Sequence, residues 1–364
     1  MHEEADCPLC SRERLDQIRI NTKSAPGFLS LILSVRLIRG DSGKVPSIHI
    51  KGNIMKYSCK KAVVTGATGA VGMALLDELI ERGIRTLVLC REASPRSARI
   101  PDHPLIRKVN CPLDQMKSWT PDEEDSYDVF FHFAWEGTTG ESRNDVILQN
   151  RNVTYILAAV DLAQRLGCHT FIGAGSQAEY GRVEGKLSSA TPTHPENGYG
   201  MAKLHAGQMS RLHCKQRGIR HIWTRILSVY GPYDTERSLV MSTLLKLRAG
   251  EIPQCTAGEQ IWDYLYSGDA AKAMLAVAKS GRDGGVYCLG GGSPTPLKDY
   301  ISQIREIAAP EGQVALGAIP YAPGQVMYLC ADLSELTRDT GFQPSTPFRE
   351  GIEKTVAWLD ETNQ

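Results

Sequence analysis

A set of closely spaced glycines constrains the fold of this chain more than any other feature. Residues 61–65 read Lys-Ala-Val-Val-Thr, as in a short buried strand, and Gly66, Gly69 and Gly72 follow directly. Apolar residues then recur with helical spacing, at Met73, Leu75, Leu76, Leu79 and Ile80. This order predicts a strand, a tight turn and a helix. Glycines in such a turn let the backbone approach a pyrophosphate, which then lies at the positive start of the helix. The G-x-x-G-x-x-G spacing is less specific than G-x-G-x-x-G, but its context predicts dinucleotide binding.

Strand-like segments alternate with helical patterns through the first two thirds of the chain. Buried-type strands are predicted at 61–65, 86–90, 106–109, 128–133, 169–175 and 221–227. Such alternation is typical of a parallel sheet with helices on both faces. The strand ends carry Gly66, Arg91, Ala134 and Ser176, which we expect to meet in the crevice where such sheets bind ligands. The sequence therefore predicts an α/β fold with a Rossmann-like doubly wound parallel sheet.

Three regions are predicted along the chain. Residues 1–54 show neither helical nor strand periodicity, so we interpret them as an extension that is disordered or not native, with translation beginning at Met55. Residues 55–230 are predicted to form the NAD(P)-binding domain. Residues 231–364 have shorter elements with more glycine and proline, which predicts a smaller C-terminal substrate-binding domain, partly interleaved with the first.

The end of the second strand bears on the choice of cofactor. NAD enzymes usually place Asp or Glu there, about 20 residues past the glycines, to bind the ribose 2′-hydroxyl. This chain has Cys90 and Arg91 instead. A guanidinium can bind a 2′-phosphate through charge-assisted hydrogen bonds, so NADP(H) is favoured, with NAD(H) possible. Arg96 and Arg99, in the loop that follows, are read equally well as a solvated basic surface.

Tyr199, Lys203 and Ser176 form a candidate proton-transfer set. An unperturbed Tyr has a pKa of about 10, so a catalytic phenol near neutral pH needs a neighbouring cation to favour its ionised form. On a helix, residues four apart share a face, which predicts that Lys203 lowers the pKa of Tyr199. The predicted helix begins at Tyr199 and runs through Met201, Leu204 and Met209.

Together these motifs resemble the extended short-chain dehydrogenase/reductase family, over about residues 58–360. Segments 128–134, 152–153, 225–232 and 258–264 also resemble motifs of that family, in the same order along the chain. The resemblance implies catalysis by Ser176, Tyr199 and Lys203. It implies cofactor contacts from Gly66, Thr68, Gly69, Val71, Gly72, Arg91, Leu113, Phe133, Ala134, Asn152, Tyr199 and Lys203. It implies substrate contacts from Gln177, Asn197, Ser228, Arg237 and Trp262.

Departures from the family pattern narrow the predicted reaction. Sugar-nucleotide 4,6-dehydratases carry an Asp-Glu pair directly after the catalytic hydroxyl, whereas this chain has Gln177 and Ala178, which argues against dehydration. Epimerases commonly have Arg, which pairs with the pyrophosphate, where this chain has Trp262. Arg237 or Lys246 could supply that charge instead. Ser228 stands where Asn is common, and residues 112–113 (Pro-Leu) replace an Asp-hydrophobic pair near the adenine.

The pattern therefore resembles the 4-ketoreductases that act on nucleoside-diphospho-deoxysugars. In the implied reaction, NADPH reduces the C4 carbonyl, Tyr199 donates the proton and Ser176 orients the oxygen. Two alternatives stay open: an NAD-dependent sugar-nucleotide 4-epimerase with the same three residues, and a non-catalytic NADP-binding protein. The resemblance also implies a homodimer formed through the helix that contains Tyr199 and the helix before it.

Composition excludes several other classes of function. The chain has 41 basic and 41 acidic residues, so it lacks the net positive charge expected for binding nucleic acid or an anionic membrane. No apolar run reaches the length of a membrane span. Ten cysteines are scattered rather than paired, which indicates reduced, cytoplasmic thiols. Cys7 and Cys10 form a C-x-x-C with no second pair, so no metal site is predicted.

Two local predictions concern the C-terminal part of the chain. Asp269 is interpreted as the cap of a helix over residues 270–279 rather than as a catalytic residue. Trp262, Tyr264 and Tyr266 alternate with period two, which predicts one face of a strand.

Overall fold

The structure, a computed structural model, describes residues 57–122 and 126–362. Its strands are β1 (Lys61–Thr65), β2 (Arg85–Cys90), β3 (Ile106–Asn110), β4 (Val129–His132), β5 (Thr170–Ser176), β6 (Arg220–Ile226), β7 (Ser228–Tyr230), β8 (Ile261–Trp262), β9 (Tyr264–Tyr266), β10 (Gly285–Leu289) and β11 (Thr295–Pro296). Its α-helices are α1 (Ala70–Glu81), α2 (Val146–Arg165), α3 (Gly198–Gln216), α4 (Leu239–Arg248), α5 (Ser267–Ser280), α6 (Leu297–Ala308), α7 (Ser334–Thr340) and α8 (Phe348–Thr362).

Seven of these strands form one parallel sheet, in the order β10-β6-β5-β4-β1-β2-β3. Successive strand residues face opposite sides, so Val63 packs with α2 and α3 while Val64 packs with α1 and α5. Both faces are thus covered by helices, which confirms the α/β, Rossmann-like doubly wound prediction. The strand order reverses between β1 and β4, and ligands bind such sheets at the carboxyl ends beside this reversal.

The connections differ from a regular alternation of strands and α-helices. Between β2 and β3 the chain forms only a short 3-10 helix (Pro95–Arg99), and a second (Leu113–Gln115) follows β3. The seventh strand, β10, lies beyond residue 231 yet pairs with β6, and α5 covers the same sheet. The C-terminal region therefore contributes to the main sheet, while the exact division into two domains stays a prediction. The predicted extension, 1–54, lies outside the described residues, as do Cys7 and Cys10.

A smaller C-terminal region completes the fold. Helices α4, α6 and α8 enclose an apolar cluster of Tyr230, Val240, Leu244, Ile304 and Ile352, among others. Beside it, β8 pairs with β11 and β9 pairs with β7. The aromatics at 262, 264 and 266 do lie in strands, but the fully buried Asp263 separates β8 from β9. Its carboxylate accepts hydrogen bonds from the backbone N–H groups of Gly292 at 3.0 Å and Ala331 at 2.8 Å.

The prediction that Asp269 caps a helix is wrong. Asp269 lies inside the first turn of α5, whose N-cap is Tyr266, with no side-chain cap. Its buried carboxylate instead accepts hydrogen bonds from the Ser345 N–H at 2.8 Å, the Ser345 hydroxyl at 3.0 Å and the Thr346 N–H at 2.7 Å. The contact that decides its role is therefore more than 70 residues away, where sequence periodicity gives no signal.

Helix α3 forms where predicted, and it buries a face of mostly small residues. Met201 is 53% exposed and Met209 is 39% exposed. The buried positions are mostly small: Gly200, Ala202, Lys203, Ala206, Gly207, Ser210 and Cys214. A Cβ on Gly207 would lie 2.7 Å from the Trp223 ring, so a larger residue would push the helix off the sheet. Met201 and Met209 thus remain on the surface, whereas Leu204 is half-buried.

The described cysteines are all free thiols, and each is buried except the partly buried Cys90. None of the helices described within 57–122 and 126–362 is both long and apolar enough to cross a membrane.

Candidate active site

The glycine turn packs against the end of β4. Gly66 has a φ of 71°, and a Cβ there would lie 2.5 Å from the Ala134 nitrogen and 2.7 Å from the Phe133 carbonyl carbon. The Phe133 N–H donates to the Thr65 carbonyl at 3.1 Å. The backbone conformation and the close packing both require glycine at position 66. The turn therefore packs directly against the segment that follows β4.

Gly69 has no such internal requirement. Its backbone is extended, with φ −94° and ψ 170°, and a Cβ there would meet no atom within 4 Å. It is the N-cap of α1, whose first turn has no side-chain cap and no acidic residue. The helix thus begins without a side-chain cap and with room beside Gly69, which fits a pyrophosphate approaching the backbone. Thr68 and Val71 lie half-buried on either side of this opening.

Two arginines border the predicted adenosine end of this site. Arg91 is exposed directly after β2, where the sequence predicts the 2′-phosphate contact. Arg99 reaches the glycine turn itself: its Nη1 donates to the Thr68 carbonyl at 3.3 Å, and its guanidinium lies 5.6 Å from the Tyr233 ring centroid. The sequence did not distinguish Arg99 from a solvated loop residue. Leu113 lies half-buried against the apolar cluster beneath α2.

Ser176 and Tyr199 meet at the carboxyl end of β5. Ser176 is the last residue of β5 and Tyr199 lies in the first turn of α3, which Asn197 caps by accepting from the Gly200 N–H at 2.8 Å. The Ser176 hydroxyl accepts from the Ala178 N–H at 3.2 Å and lies near the Tyr199 phenol. Burial raises the pKa of Tyr199, while the Ser176 side chain and the nearby Arg143 oppose the rise. Asn197 thus has a capping role through its Oδ1, and its substrate contact stays a prediction.

Lys203 lies one turn along α3, and its Nζ is closer to Trp135 than to Tyr199. Its Nζ donates to the Ala174 carbonyl at 2.6 Å, and it lies 3.8 Å from the Trp135 ring centroid against 5.7 Å from that of Tyr199. Burial lowers the pKa of Lys203 to about 7. The cation closest to the Tyr199 ring is instead Arg143, at 4.3 Å from the centroid. That Lys203 lowers the pKa of Tyr199 stays a prediction.

Glu179 is a residue of this site that the sequence reading missed. It is fully buried, and its carboxylate accepts hydrogen bonds from the Ser176 N–H at 2.8 Å, the Trp223 Nε1–H at 2.9 Å and the Arg225 Nε–H at 2.7 Å. Ser176 and Glu179 form a reciprocal capping box, whose S-x-x-E pattern was visible in the sequence. Glu179 therefore fixes the backbone that carries the catalytic hydroxyl. Gln177, between them, is half-buried.

The loop after β4 joins the glycine turn to the catalytic pair. Asn152, buried on α2, accepts from the Glu136 N–H at 2.9 Å and donates to the Glu136 carbonyl at 3.0 Å. The indole of Trp135 donates to Gln149 Oε1 at 2.9 Å and packs edge-on against Tyr199, with ring centroids 6.1 Å apart. The buried Asn152 side chain thus fixes the loop after β4 through the backbone of Glu136.

Trp262 and Ser228, the residues at two departures from the family pattern, contact each other. The indole Nε1–H of Trp262 donates to the Ser228 hydroxyl at 2.9 Å, so the residues that replace the common Arg and Asn bind each other. Trp262 also lines a cavity of about 320 Å³ between α4, β8 and α6, together with Lys246, Gln260 and Tyr264. Arg237 is exposed in the turn before α4, so Lys246 is the candidate cation that faces this cavity.

Comparison with known proteins assigns the family. The model of the NAD dependent epimerase/dehydratase family matches residues 62–290. A dTDP-glucose 4,6-dehydratase of Streptomyces niveus is 24% identical over 88% of this chain and 91% of its own length. A CDP-abequose synthase of Salmonella typhimurium is 24% identical over 84% of this chain and 100% of its own length.

Solved structures show the same fold. The structure of UDP-glucose 4-epimerase from Thermotoga maritima with UDP-glucose matches with a TM-score of 0.74 and 21% identity, covering 84% of this chain and 100% of that one. The structure of RMD from Pseudomonas aeruginosa with NADPH matches with a TM-score of 0.68 and 18% identity, covering 83% and 99%. With the glycine turn and the matched residues 62–290, the chain therefore belongs to the NAD dependent epimerase/dehydratase family of enzymes.

Proposed function

We propose that this enzyme reduces the 4-keto group of a nucleoside-diphospho-deoxysugar with NADPH. The observation that carries the proposal is that Ser176, at the end of β5, and Tyr199, in the first turn of α3, lie near each other, and that the loop of Ala134 and Trp135 connects them with the glycine turn. A phenol and a hydroxyl at this place can donate a proton to a carbonyl and orient it, which is the chemistry that a ketoreductase needs.

The residues that follow Ser176 provide no carboxyl group suited to dehydration. A dehydratase needs one carboxyl group to protonate the leaving hydroxyl and one to remove a proton, and Gln177 and Ala178 supply neither. Glu179, the next residue, is fully buried and accepts from three N–H donors, one of them the Arg225 guanidinium. A carboxylate held in this way is a poor acid or base. Dehydration, the activity named for several relatives, is therefore not the reaction proposed for this enzyme.

The proposed mechanism assigns a separate task to each side chain. When bound at the glycine turn, the cofactor supplies the reducing equivalent to the carbonyl carbon. The Tyr199 phenol donates its proton to the carbonyl oxygen, and the Ser176 hydroxyl donates a hydrogen bond that holds this oxygen in place. Lys203 would bind the nicotinamide ribose, as the family resemblance implies. General acid catalysis of this kind contributes about 10²–10⁴-fold to the rate.

A nucleoside diphosphate fits the cavity in the C-terminal region. Its lining combines the aromatic faces of Trp262 and Tyr264 with polar groups, and the exposed Lys246 provides a cation for phosphate. The relative named CDP-abequose synthase, matched over its whole length, supports a nucleotide-linked sugar as the substrate class. We propose that the nucleotide occupies this cavity and directs the sugar toward Tyr199.

The preference for NADP(H) is also a proposal. Arg91 is exposed at the end of β2, where a 2′-phosphate would lie, and Cys90 replaces the carboxylate that an NAD enzyme usually has there. Arg99 supports the glycine turn through the Thr68 carbonyl. We expect Arg91 to distinguish the two cofactors, and Arg99 to contribute equally to both.

A homodimer is proposed from the surface of α2 and α3. Five apolar side chains on or beside these helices are exposed: Val146, Ile147, Met201, Met209 and Leu212. The two helices also pack on each other through their other faces. Burying such a patch against a second copy is favourable at about 25 cal/mol per Å² of apolar surface.

The test is cofactor stoichiometry with a panel of nucleoside-diphospho-4-keto-6-deoxysugars. We expect one NADPH to be oxidised for each sugar reduced, and Tyr199→Phe to bind NADPH normally while losing at least 10²-fold in turnover. Protein that copurifies with bound NAD, consumes no NADPH and interconverts two sugar nucleotides would instead favour the 4-epimerase. Failure to bind either cofactor would leave the non-catalytic alternative.

A further inference from the structure

Arg143 lies over the ring of the candidate catalytic tyrosine. Its guanidinium carbon is 4.3 Å from the Tyr199 ring centroid, a close cation–π contact. Arg143 belongs to a short 3-10 helix (Gly140–Asn144) in the loop between β4 and α2, and it is half-buried. One nitrogen, Nη1, donates to the Thr138 carbonyl at 3.2 Å. Neither motif matching nor residue spacing in the sequence singles out this arginine.

The loop that carries Arg143 is pinned on two sides. Gln149, 1% exposed on α2, donates through Nε2 to the carbonyls of Gly137 at 2.7 Å and Ser142 at 2.9 Å. On the other side, the Asn144 side-chain oxygen accepts from the Gly198 N–H at 3.2 Å, directly before Tyr199. The loop that carries Arg143 is thus fixed on both sides, and the guanidinium is held by its own hydrogen bond to the Thr138 carbonyl.

The charged and hydrogen-bonding groups around Tyr199 come from four elements. Arg143 is on the loop after β4, Lys203 is on α3 with its Nζ 5.7 Å from the ring centroid, Ser176 ends β5, and Glu179 is in the 3-10 helix that follows. Burial and the charge of Glu179 raise the pKa of Tyr199, whereas the Ser176 side chain and Arg143 lower it. Glu179 is itself paired with the Arg225 guanidinium, which limits its effect.

We propose that Arg143 is a positioning residue that stabilises the Tyr199 phenolate formed when the substrate carbonyl is reduced. The ring of a phenolate carries more negative charge than that of a phenol, so a cation over its face binds the product state of the proton transfer more strongly. This inference rests on the proposed function of Tyr199 as the proton donor. In reduction the O–H bond of Tyr199 breaks, its proton goes to the substrate oxygen, and the electron pair stays on the phenol oxygen beside Arg143.

The consequence is measurable as a shift in the ionisation of Tyr199. Cation–π contacts of partly desolvated groups are worth about 0.5–2 kcal/mol, so Arg143→Met should raise the pKa of Tyr199 by about one unit. Arg143→Lys, which keeps the charge, should recover much of this shift. Arg85→Met removes an exposed arginine at the amino end of β2 and serves as the matched control.

The experiment places a single difluorotyrosine at position 199 and follows its ionisation by fluorine NMR as the pH is raised. Fluorine makes the phenol more acidic, so its titration falls within the stable range of the protein, and the other tyrosines are silent. We expect the midpoint to rise by about one pH unit in Arg143→Met, by less in Arg143→Lys, and not at all in Arg85→Met. An equal midpoint in Arg143→Met and the unsubstituted protein would overturn the inference.

A second readout separates this inference from the proposed function. The fluorine titration needs no substrate, whereas the proposed function is tested by NADPH oxidation. An unshifted titration in an enzyme that does reduce keto-sugar nucleotides would refute the role of Arg143 alone. In the active enzyme, the alkaline limb of the pH profile of kcat/KM should move upward in Arg143→Met by the same amount as the titration, and an unmoved limb counts against the inference.

Discussion

Glu179→Gln tests whether a buried ion pair holds the catalytic serine in place. The substitution keeps the shape of the side chain and an oxygen for the Ser176 N–H, but it removes the charge that faces Arg225. Both partners are almost completely buried, with side chains 0% and 7% exposed, so Arg225 would be left without its counter-charge. Breaking a buried pair by removing one partner costs about 3–5 kcal/mol. For a folded body of about 300 residues, this cost corresponds to a fall in Tm of roughly 5–8 °C.

The matched control is an exposed ion pair in the same part of the chain. Arg182 and Glu196 are bonded at 2.9 Å with side chains 55% and 47% exposed, and exposed pairs contribute about 0–1 kcal/mol. Both Glu179→Gln and Glu196→Gln should be measured by urea and thermal unfolding, followed by circular dichroism. A cost for Glu179→Gln no larger than that for Glu196→Gln would refute the reasoning. Adding Arg225→Met to Glu179→Gln should recover part of the loss, because it removes the unpaired charge.

Three further predictions follow from single contacts. Arg91→Gln should weaken NADPH binding about 10–100-fold in calorimetric titration and leave NADH binding unchanged. Arg99→Gln should weaken the binding of both cofactors equally. An equal loss of NADPH and NADH binding in Arg91→Gln would contradict the 2′-phosphate contact. Burial lowers the pKa of His221 to about 3, so below pH 6.5 the unfolded chain binds a proton that the folded chain does not. Stability should therefore fall on acidification by about 1.4 kcal/mol per pH unit from this residue, and His221→Phe should remove that slope in urea unfolding at pH 4–6; an unchanged slope would count against it. Ser228→Ala removes the acceptor of the Trp262 indole and should raise KM for the sugar nucleotide about fivefold with kcat preserved in steady-state kinetics, and a loss confined to kcat would argue against a role in binding.

Local sequence patterns predicted the elements of the fold well. The strands at 61–65 and 86–90 lie within one residue of the observed β1 and β2, because a buried parallel strand is a short apolar run that periodicity detects. The glycine turn was equally clear, since Gly66 and Gly72 meet backbone atoms that leave no room for a side chain. Helix α3 was predicted, but its buried face was not, since close packing there selects small residues instead of large apolar ones.

The electrostatics of the site were much harder to predict from the sequence. Arg143 reaches Tyr199 across more than 50 residues, and the Trp262 indole reaches Ser228 across 34. Such pairs depend on how loops are placed by the sheet, which no local period encodes. Glu179 was also missed, although its capping-box spacing to Ser176 was present in the sequence. The position of Lys203 beside Trp135 also required the structure, because helical spacing alone placed it near the phenol.

The central claim is that Tyr199 protonates the oxygen of a carbonyl that receives hydride from NADPH at the same site. The most direct measurement uses NADPH deuterated at the transferable position, with a nucleoside-diphospho-4-keto-6-deoxysugar and either the unsubstituted enzyme or Tyr199→Phe. We expect the unsubstituted enzyme to give product with one deuterium on C4, and Tyr199→Phe to bind NADPH with unchanged affinity but form labelled product at least 10²-fold more slowly. Deuterium that stays on the cofactor, or a Tyr199→Phe variant that labels C4 at the normal rate, would contradict the account.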